Sequence, residues 1–281
     1  MGRFARSWAL AKASFGVLRS DKELLVFPMI SAVAVVLVVA SFALPVFGLG
    51  LYQGLAGEDG VAPLGYVLAF AFYLVQYFVI FFFNTALVGA AMMRLDGGDP
   101  TVADGLRIAR GKWVQILGYA AIAATVGLLL RAIEERAGFV GRIVVGLIGV
   151  AWTVATFLAV PVLVARDVGP VEAVKESASL LGRTWGENLI GNGGLGLAMM
   201  LLNFAVLLVF GGATVLFATN GMAAMAVAAV VVGVLVLLGL ALVQAALSGI
   251  YSAALYRYAV QGDAPAGFDA VLLRDAFQRK V

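Results

Sequence analysis

Six long runs of apolar residues are the feature that most restricts how this chain can fold. They extend over about Leu24–Gly50, Leu64–Met93, Trp113–Leu130, Ile143–Ala165, Leu189–Ala218 and Met222–Val260. A helix needs roughly 20 apolar residues to cross about 30 Å of hydrocarbon, so each run can form one membrane span. We therefore predict an all-α polytopic membrane protein with six transmembrane helices, forming a single integral membrane domain over residues 1–281.

The last run, Met222–Val260, is longer than one simple span requires. We predict that this helix tilts, extends beyond the membrane or breaks. The fifth and sixth runs are separated only by "TNGM", in which Asn220 and Gly221 are typical of a tight turn.

The amino-acid composition indicates that the chain folds in lipid, and it limits the catalytic and metal-binding chemistry that the side chains can supply. The chain is 63% hydrophobic and 12% charged, whereas an average soluble domain is about 25% charged. It contains no Cys and no His, which excludes disulfides, thiol catalysis and Cys-based metal sites and removes the usual proton-transfer residue. We expect no cofactor and no enzymatic activity, with a membrane enzyme as the least favoured alternative.

Basic residues predict the orientation of the spans. Of the 19 lysines and arginines, only Arg131, Arg136 and Arg142 fall on one side of the predicted topology, and the others share the side of the N-terminus. Basic residues near span ends favour the cytoplasm. We therefore predict a multi-pass protein of the plasma membrane with both termini cytoplasmic.

A repeated ending predicts internal repeats. The sequences "AAMMRLDGGDP" (90–100), "PVLVARDVGP" (161–170) and "SAALYRYAVQGDAP" (252–265) each finish an apolar run with an Arg and a Gly/Pro turn. We predict three parallel hairpin repeats, about 1–93, 94–165 and 166–260, followed by a C-terminal amphipathic helix over 261–281.

Each ending is followed by a pattern typical of an amphipathic helix at the cytoplasmic interface. After Thr101, a potential cap, one apolar side is formed by Val102, Leu106, Ala109 and Trp113. After Pro170 the predicted apolar side is formed by Val171, Val174, Ala178, Leu181 and Trp185. The predicted interfacial anchors are Arg94, Trp113, Arg166, Trp185 and Arg257. A binding role for the two tryptophans is the alternative.

The spans have no charged residue in their middle sections, unlike most proton- or ion-coupled pumps. The polar groups that remain form a candidate intramembrane cluster of amides: Gln76, Asn84, Asn192, Asn203 and Gln244. Hydrogen bonding between helices is their expected role. Lining a polar cavity or pore is the alternative.

Two further motifs have plain structural explanations. "GNGGLG" (191–196) matches the G-x-G-x-x-G pattern, but it starts an apolar run and lacks the acid that a dinucleotide site needs. Close helix packing through small residues explains it better. Glu134 and Glu135 are expected to pair with neighbouring arginines at a solvated helix end rather than to catalyse a reaction. Among metal sites, only a carboxylate site is conceivable, and no spacing indicates one.

The stretches "MGRFARSWALAKASFGVLRSDKELLVFP", "FFNTALVGAAMMRLDGGDPTVADGLRIARGKW" and "VGPVEAVKESASLLGRTWGENLIGN" carry a family resemblance. The chain resembles an uncharacterised prokaryotic family of polytopic membrane proteins, a domain of unknown function. Its layout is more loosely similar to the membrane domain of glycerophosphodiester phosphodiesterases. The first resemblance implies six spans in the plasma membrane and no established site residues.

Two functions follow as hypotheses. The first is a non-enzymatic membrane protein that organises lipids or partner proteins through its cytoplasmic amphipathic helices. Its expected partners are membrane lipids, with anionic headgroups at the cytoplasmic face, and a homo-oligomer or another membrane protein stays open. The alternative is a channel or permease for a neutral or lipid-like solute, with a path between the repeats. Nucleic acid is not expected, because membrane spans separate the basic residues.

Overall fold

The chain folds into a bundle of long helices. The computed structural model describes residues 3–48, 56–57, 60–61, 63–185, 194–262, 265 and 268, with side chains at 12–48, 63–182, 199–262, 265 and 268. The helices are α1 (Arg3–Ser20), α2 (Val26–Ala43), α3 (Pro63–Leu95), α4 (Val102–Gly111), α5 (Trp113–Arg136), α6 (Phe139–Ala155), α7 (Ala159–Ala165), α8 (Pro170–Trp185), α9 (Gly194–Thr219) and α10 (Ala223–Gln261). A 3₁₀ turn (Lys22–Leu25) precedes α2, and a π-helical turn (Leu44–Gly48) follows it.

A minimal hairpin lies between α2 and α3. Its two-residue strands, Ala56–Gly57 and Gly60–Val61, pair antiparallel. Helices form the whole of the described bundle apart from this hairpin, as predicted.

Helix α3 is the centre of the bundle. It packs against α2, α4, α5, α7 and α10. Its second half is rich in small residues, and the run from Thr85 to Ala91 is buried. Small side chains let several helix backbones approach closely, which is how helices associate when lipid removes the hydrophobic drive between them. Near the middle of α3, Phe81 stacks on Tyr119 of α5 with ring centroids 4.4 Å apart.

The fourth predicted span is broken. Helix α6 ends at Ala155, and α7 begins at Ala159. Pro161 explains the position, because a proline lacks an N–H and its ring clashes with the carbonyl of the residue four before it, here Phe157. At the break, the Leu158 N–H has no backbone carbonyl as its partner among the described residues and donates instead to Ser177 Oγ of α8 at 3.0 Å. A side chain from a neighbouring helix therefore satisfies the break.

The sixth predicted span is one unbroken helix of 39 residues, so the predicted alternative of a break is wrong. At about 1.5 Å per residue it is nearly twice as long as the hydrocarbon is thick. Helix α9 reaches it through a turn at Asn220 and Gly221, where Gly221 has φ +74°, as the "TNGM" sequence predicted. Helix α1 packs across α9 and α10.

The outer surface of the bundle is apolar. Six segments are long and apolar enough to cross a membrane: Lys22–Gly48, Pro63–Leu95, Trp113–Arg136, Phe139–Ala165, Met199–Thr219 and Ala223–Gln261. Large apolar side chains on them are exposed, such as Phe47 at 73% and Phe139 at 81%. Because water would penalise so much exposed apolar surface, this is a polytopic membrane protein.

Candidate functional site

Ion pairs gather at one end of the bundle. Arg94, Arg166 and Arg257 lie there, and we call it the arginine end. Arg94 Nη1 contacts Asp99 Oδ1 at 3.0 Å, and Arg166 Nη1 contacts Glu176 Oε1 at 2.5 Å. The hydrogen bond to Glu176 raises the pKa of Arg166. Arg94 and Arg166 are thus each held in an ion pair within the protein.

Several of these contacts join distant parts of the chain. Arg257 Nη2, at the end of α10, contacts Asp96 Oδ1 after α3 at 2.7 Å. Lys112 Nζ, before α5, donates to Asp167 Oδ1 after α7 at 3.1 Å. The arginine end is therefore a connected polar layer.

A third link connects the 3₁₀ turn to α4. Glu23 Oε2 accepts a hydrogen bond from the Val102 N–H at 2.9 Å, over the first turn of α4. A carboxylate at a helix N-terminus is favoured by the helix dipole as well as by the bond. This contact fixes α4 beside the start of α2.

Helix α4 has a well-defined start. Thr101 and Asp104 form a capping box, so the predicted Thr101 cap is confirmed. Hydrogen bonds from Thr101, and then the charge of Arg107, hold the pKa of Asp104 below its usual value. Helix α4 is set close against the membrane helices at Gly105, where a Cβ would lie 2.7 Å from the Ala86 carbonyl oxygen.

The buried side of α8 is shifted around the helix from the predicted one and shares Leu181 with it. Ala173, Ser177 and Leu181 are buried, whereas Val171 is 53% exposed and Ala178 is exposed. Close contact with α7 favours small side chains, and the hydroxyl of Ser177 is needed at the helix break. An apolar pattern could not identify Ser177, and the only signal was its small size at helical spacing from Ala173.

Most described acidic residues at the arginine end form ion pairs or hydrogen bonds within the protein. Asp96, Asp99, Asp104, Asp167 and Glu176 pair with basic residues, and Glu23 accepts the bond from α4. Asp21 accepts from the Glu23 N–H, and its burial raises its pKa. Of the acids with described side chains there, only Glu172 lacks such a bond, and its charge acts on Arg166.

Several basic residues at the arginine end form no ion pair with the described acids. Five exposed cationic side chains have no acidic partner among the described residues: Lys12, Arg19, Lys22, Arg110 and Lys175. We call these five the free basic set. Among the described residues, the unpaired charge at the arginine end is therefore positive.

The predicted anchors occupy different surroundings. Arg94 and Arg257 are 28% and 17% exposed at their side chains, and Trp113 is 53% exposed at the start of α5. Trp185 is the last residue of α8, and its side chain lies outside the described residues. At the opposite end, Arg131 pairs with Glu135 at 3.1 Å, as expected for this helix end.

The candidate amides do not form one hydrogen-bonded cluster among the described residues. Asn203 Nδ2 donates to the Met199 carbonyl of its own helix at 2.9 Å. Gln76 Oε1 is buried without a partner in this part of the chain. Gln244 is half-buried on α10, and Asn192 lies outside the described residues, as do Gly191–Gly193 of the glycine motif.

Asn84 lines a cleft where α2, α3 and α10 meet. The cleft encloses about 240 Å³, and its lining residues are Pro28, Ser31, Ile80, Phe83, Asn84, Leu87, Ala245 and Ser248. Ile80 and Ala245 on its rim are exposed. No sequence pattern distinguishes Ser31 or Ser248, because serines are common in membrane helices.

Acidic clusters suited to a metal ion are absent from the described residues. A family model described as "Family of unknown function (DUF6159)" matches residues 63–268 of the chain. It agrees with the predicted resemblance to an uncharacterised family. No curated protein and no solved structure matches the chain, and the similarity to the glycerophosphodiester phosphodiesterase membrane domain finds no support.

Proposed function

This chain belongs to the family of unknown function DUF6159, and we propose that it is a non-enzymatic plasma-membrane protein that gathers anionic lipids at a cytoplasmic arginine end. The free basic set carries the proposal. Each basic side chain near an anionic membrane surface contributes about 1 kcal/mol of attraction. Among the described acids at this end, all but Glu172 are engaged in internal bonds, so these residues place little negative charge against that attraction. Organising a partner protein through the same surface stays a second outcome of this function.

A threefold repeat would explain how the amphipathic helices are placed, and residue spacing supports it. Eight positions before Arg94, Arg166 and Arg257 stand Ala86, Leu158 and Gly249, all buried. Eleven positions after them stand Gly105, Ser177 and Phe268, also buried.

Two of these equivalent pairs are in direct contact. Gly105 is set against the Ala86 carbonyl, and Ser177 bonds to the Leu158 N–H. In this proposal α4 and α8 are equivalent interfacial helices, each seated on the span that precedes it. Trp113 and Trp185, nineteen positions after their arginines, then anchor the next span at the interface.

The lipid proposal is tested by neutralising the free basic set. The variant carries Lys12→Gln, Arg19→Gln, Lys22→Gln, Arg110→Gln and Lys175→Gln. Purified protein is reconstituted in phosphatidylcholine nanodiscs containing a minor fraction of phosphatidylglycerol, and co-retained phosphatidylglycerol is measured by native mass spectrometry. Because five contributions of about 1 kcal/mol are removed, the apparent affinity for phosphatidylglycerol should fall at least about tenfold.

The matched control neutralises two basic residues on the opposite end, Arg136→Gln with Arg142→Gln. It should retain phosphatidylglycerol as the unchanged protein does. Equal retention by the five-residue variant and the unchanged protein would contradict the proposal.

The orientation is tested by cysteine labelling in this naturally Cys-free chain. Single cysteines replace Arg94, Arg166 and Arg257, and intact cells are treated with a membrane-impermeant maleimide. All three positions should stay unlabelled until the membrane is permeabilised, because each follows an outward-to-inward span in the proposed topology. A cysteine at Arg142 serves as the control that should be labelled from outside. Labelling of any of the three arginine positions in intact cells refutes a cytoplasmic arginine end.

The alternative, a channel or permease for a neutral or lipid-like solute, has one supporting observation. Asn84 lines a cleft and has no hydrogen-bond partner among the described residues. A path between repeats would need lining residues from the second hairpin as well, and the cleft is lined by α2, α3 and α10. The alternative therefore ranks below lipid organisation.

A further inference from the structure

The cleft between α2, α3 and α10 contains polar groups that the protein itself leaves without hydrogen bonds. Ser31, Asn84 and Ser248 line it, one from each helix. None of the three side chains has a hydrogen-bond partner among the described residues. Serine in a helix can usually bond a carbonyl one turn back, as Ser252 does on the Gly249 carbonyl at 2.9 Å. Polar groups facing hydrocarbon without partners are costly, so this convergence indicates a ligand that supplies the missing bonds.

The depth of the cleft follows from its distance to the arginine end. Asn84 stands ten residues before Arg94 on α3, and Ser248 stands nine residues before Arg257 on α10. At about 1.5 Å per residue, the cleft lies about 13 to 15 Å along these helices from the two arginines. Exposed large apolar side chains also flank the cleft on α2. The cleft therefore faces hydrocarbon, at a depth that a lipid without a charged headgroup can reach.

The lining also defines the charge of the ligand. It contains no acidic or basic residue, and an unpaired charge at this depth would be unfavourable. Hydroxyl and amide groups both donate and accept hydrogen bonds, so together they match a ligand with a hydroxyl and ester carbonyls. The exposed rim at Ile80 and Ala245 leaves a side opening through which acyl chains can extend into the membrane.

We propose that this cleft binds a neutral glycerolipid with a free hydroxyl group, such as a diacylglycerol, entering sideways from the leaflet at the arginine end. The site is independent of the free basic set, none of whose members lines the cleft. Asn84 and the two serines hold the hydroxyl and ester region, and Leu87, Phe83 and Pro28 contact the adjoining carbon atoms. The volume of about 240 Å³ holds this part of the lipid, with the acyl chains outside.

The experiment uses photo-crosslinking of the full chain in phosphatidylcholine vesicles containing a small fraction of a diazirine-bearing diacylglycerol. Specific labelling is the part that unlabelled dioleoylglycerol removes. Asn84→Leu is expected to lower it about fivefold or more, the loss typical for a buried hydrogen-bonding group. Ala245→Phe, which fills the cleft from its rim and removes no polar group, should have a similar effect. Adducts should map to α2, α3 and α10 beside the cleft.

The matched control is Asn203→Leu, an amide in a membrane helix whose bond stays within its own helix. It should leave specific labelling unchanged. If Asn84→Leu does not fold, Ala245→Phe decides the result alone. Unchanged labelling in Ala245→Phe overturns the proposal, as does equally effective competition by phosphatidic acid, which would show that a charged lipid occupies the cleft. Either result leaves the phosphatidylglycerol experiment on the free basic set unaffected.

Discussion

Replacing Gly105 with Ala is expected to destabilise the protein by about 2 to 3 kcal/mol, near the upper end of what overpacking a core costs. The added Cβ would lie 2.5 Å from Phe27 Cζ and 2.7 Å from the Ala86 carbonyl oxygen. The Phe27 ring is itself buried, and the carbonyl belongs to the backbone of α3. Helix α4 must therefore move away from α3. Thermal unfolding in detergent, followed by tryptophan fluorescence, should show a decrease of several degrees.

Gly111→Ala is the matched control, since it lies in the same helix and a Cβ there meets nothing within 4 Å. Alanine is a better helix former than glycine, so this variant should be as stable as the unchanged protein or slightly more stable. Equal unfolding temperatures for the two variants would mean that α4 is not held tightly against α3.

Asp96→Asn is expected to give the second-largest loss, about 1.5 to 3 kcal/mol, which is typical when a bond to a charged group is lost. Asp96 contacts Arg257 Nη2 at 2.7 Å, and only 17% of the Arg257 side chain is exposed. Arg257 Nη1 is already buried without a partner among the described residues. Without the carboxylate, the guanidinium keeps only the neutral Gln261 Oε1, which is 3.2 Å from Nη2, and its mostly buried charge has no acidic partner among the described residues. Thermal unfolding of the purified protein measures the effect.

Asp99→Asn provides the comparison within the same turn. Asp99 also pairs with an arginine, Arg94, but its side chain is 96% exposed. Exposed ion pairs contribute between about 0.2 and 1 kcal/mol. A larger loss for Asp99→Asn than for Asp96→Asn would show that burial does not determine the strength of these pairs.

The apolar runs predicted the positions of the membrane helices because length and hydropathy alone decide whether a segment can cross lipid. Their limits differ from prediction at the ends: α5 continues to Arg136, six residues beyond Leu130. A segment that is defined by its apolar residues ends at the first charged residue. The helix itself continues for as long as its backbone hydrogen bonds are formed. The turn at Gly221 and the cap at Thr101 were predictable because both depend on local chemistry.

Contacts between distant helices could not be predicted in the same way. Pro161 was visible in the sequence, but the hydroxyl that satisfies the resulting break comes from Ser177 on another helix. Gly105 and Ser177 lie at the edges of the predicted apolar sides, one turn before Ala109 and Leu181, and nothing in the pattern shows which backbone each of them contacts. The pairing of Asp96 with Arg257 depends on how α3 packs against α10. Such contacts arise from three-dimensional packing, which a pattern along one helix does not contain.

The bond between Asp96 and Arg257 also has a consequence for biogenesis. A ribosome makes the chain from its N-terminus, so α3 and Asp96 enter the membrane well before α10, the last of the described helices. Until α10 is inserted, Asp96 has no Arg257 guanidinium to pair with. The side of Leu87 that packs against Gly249 is also without its neighbour. The first hairpin therefore remains an unfinished intermediate through most of translation. Its assembly is completed only when the last described helix arrives.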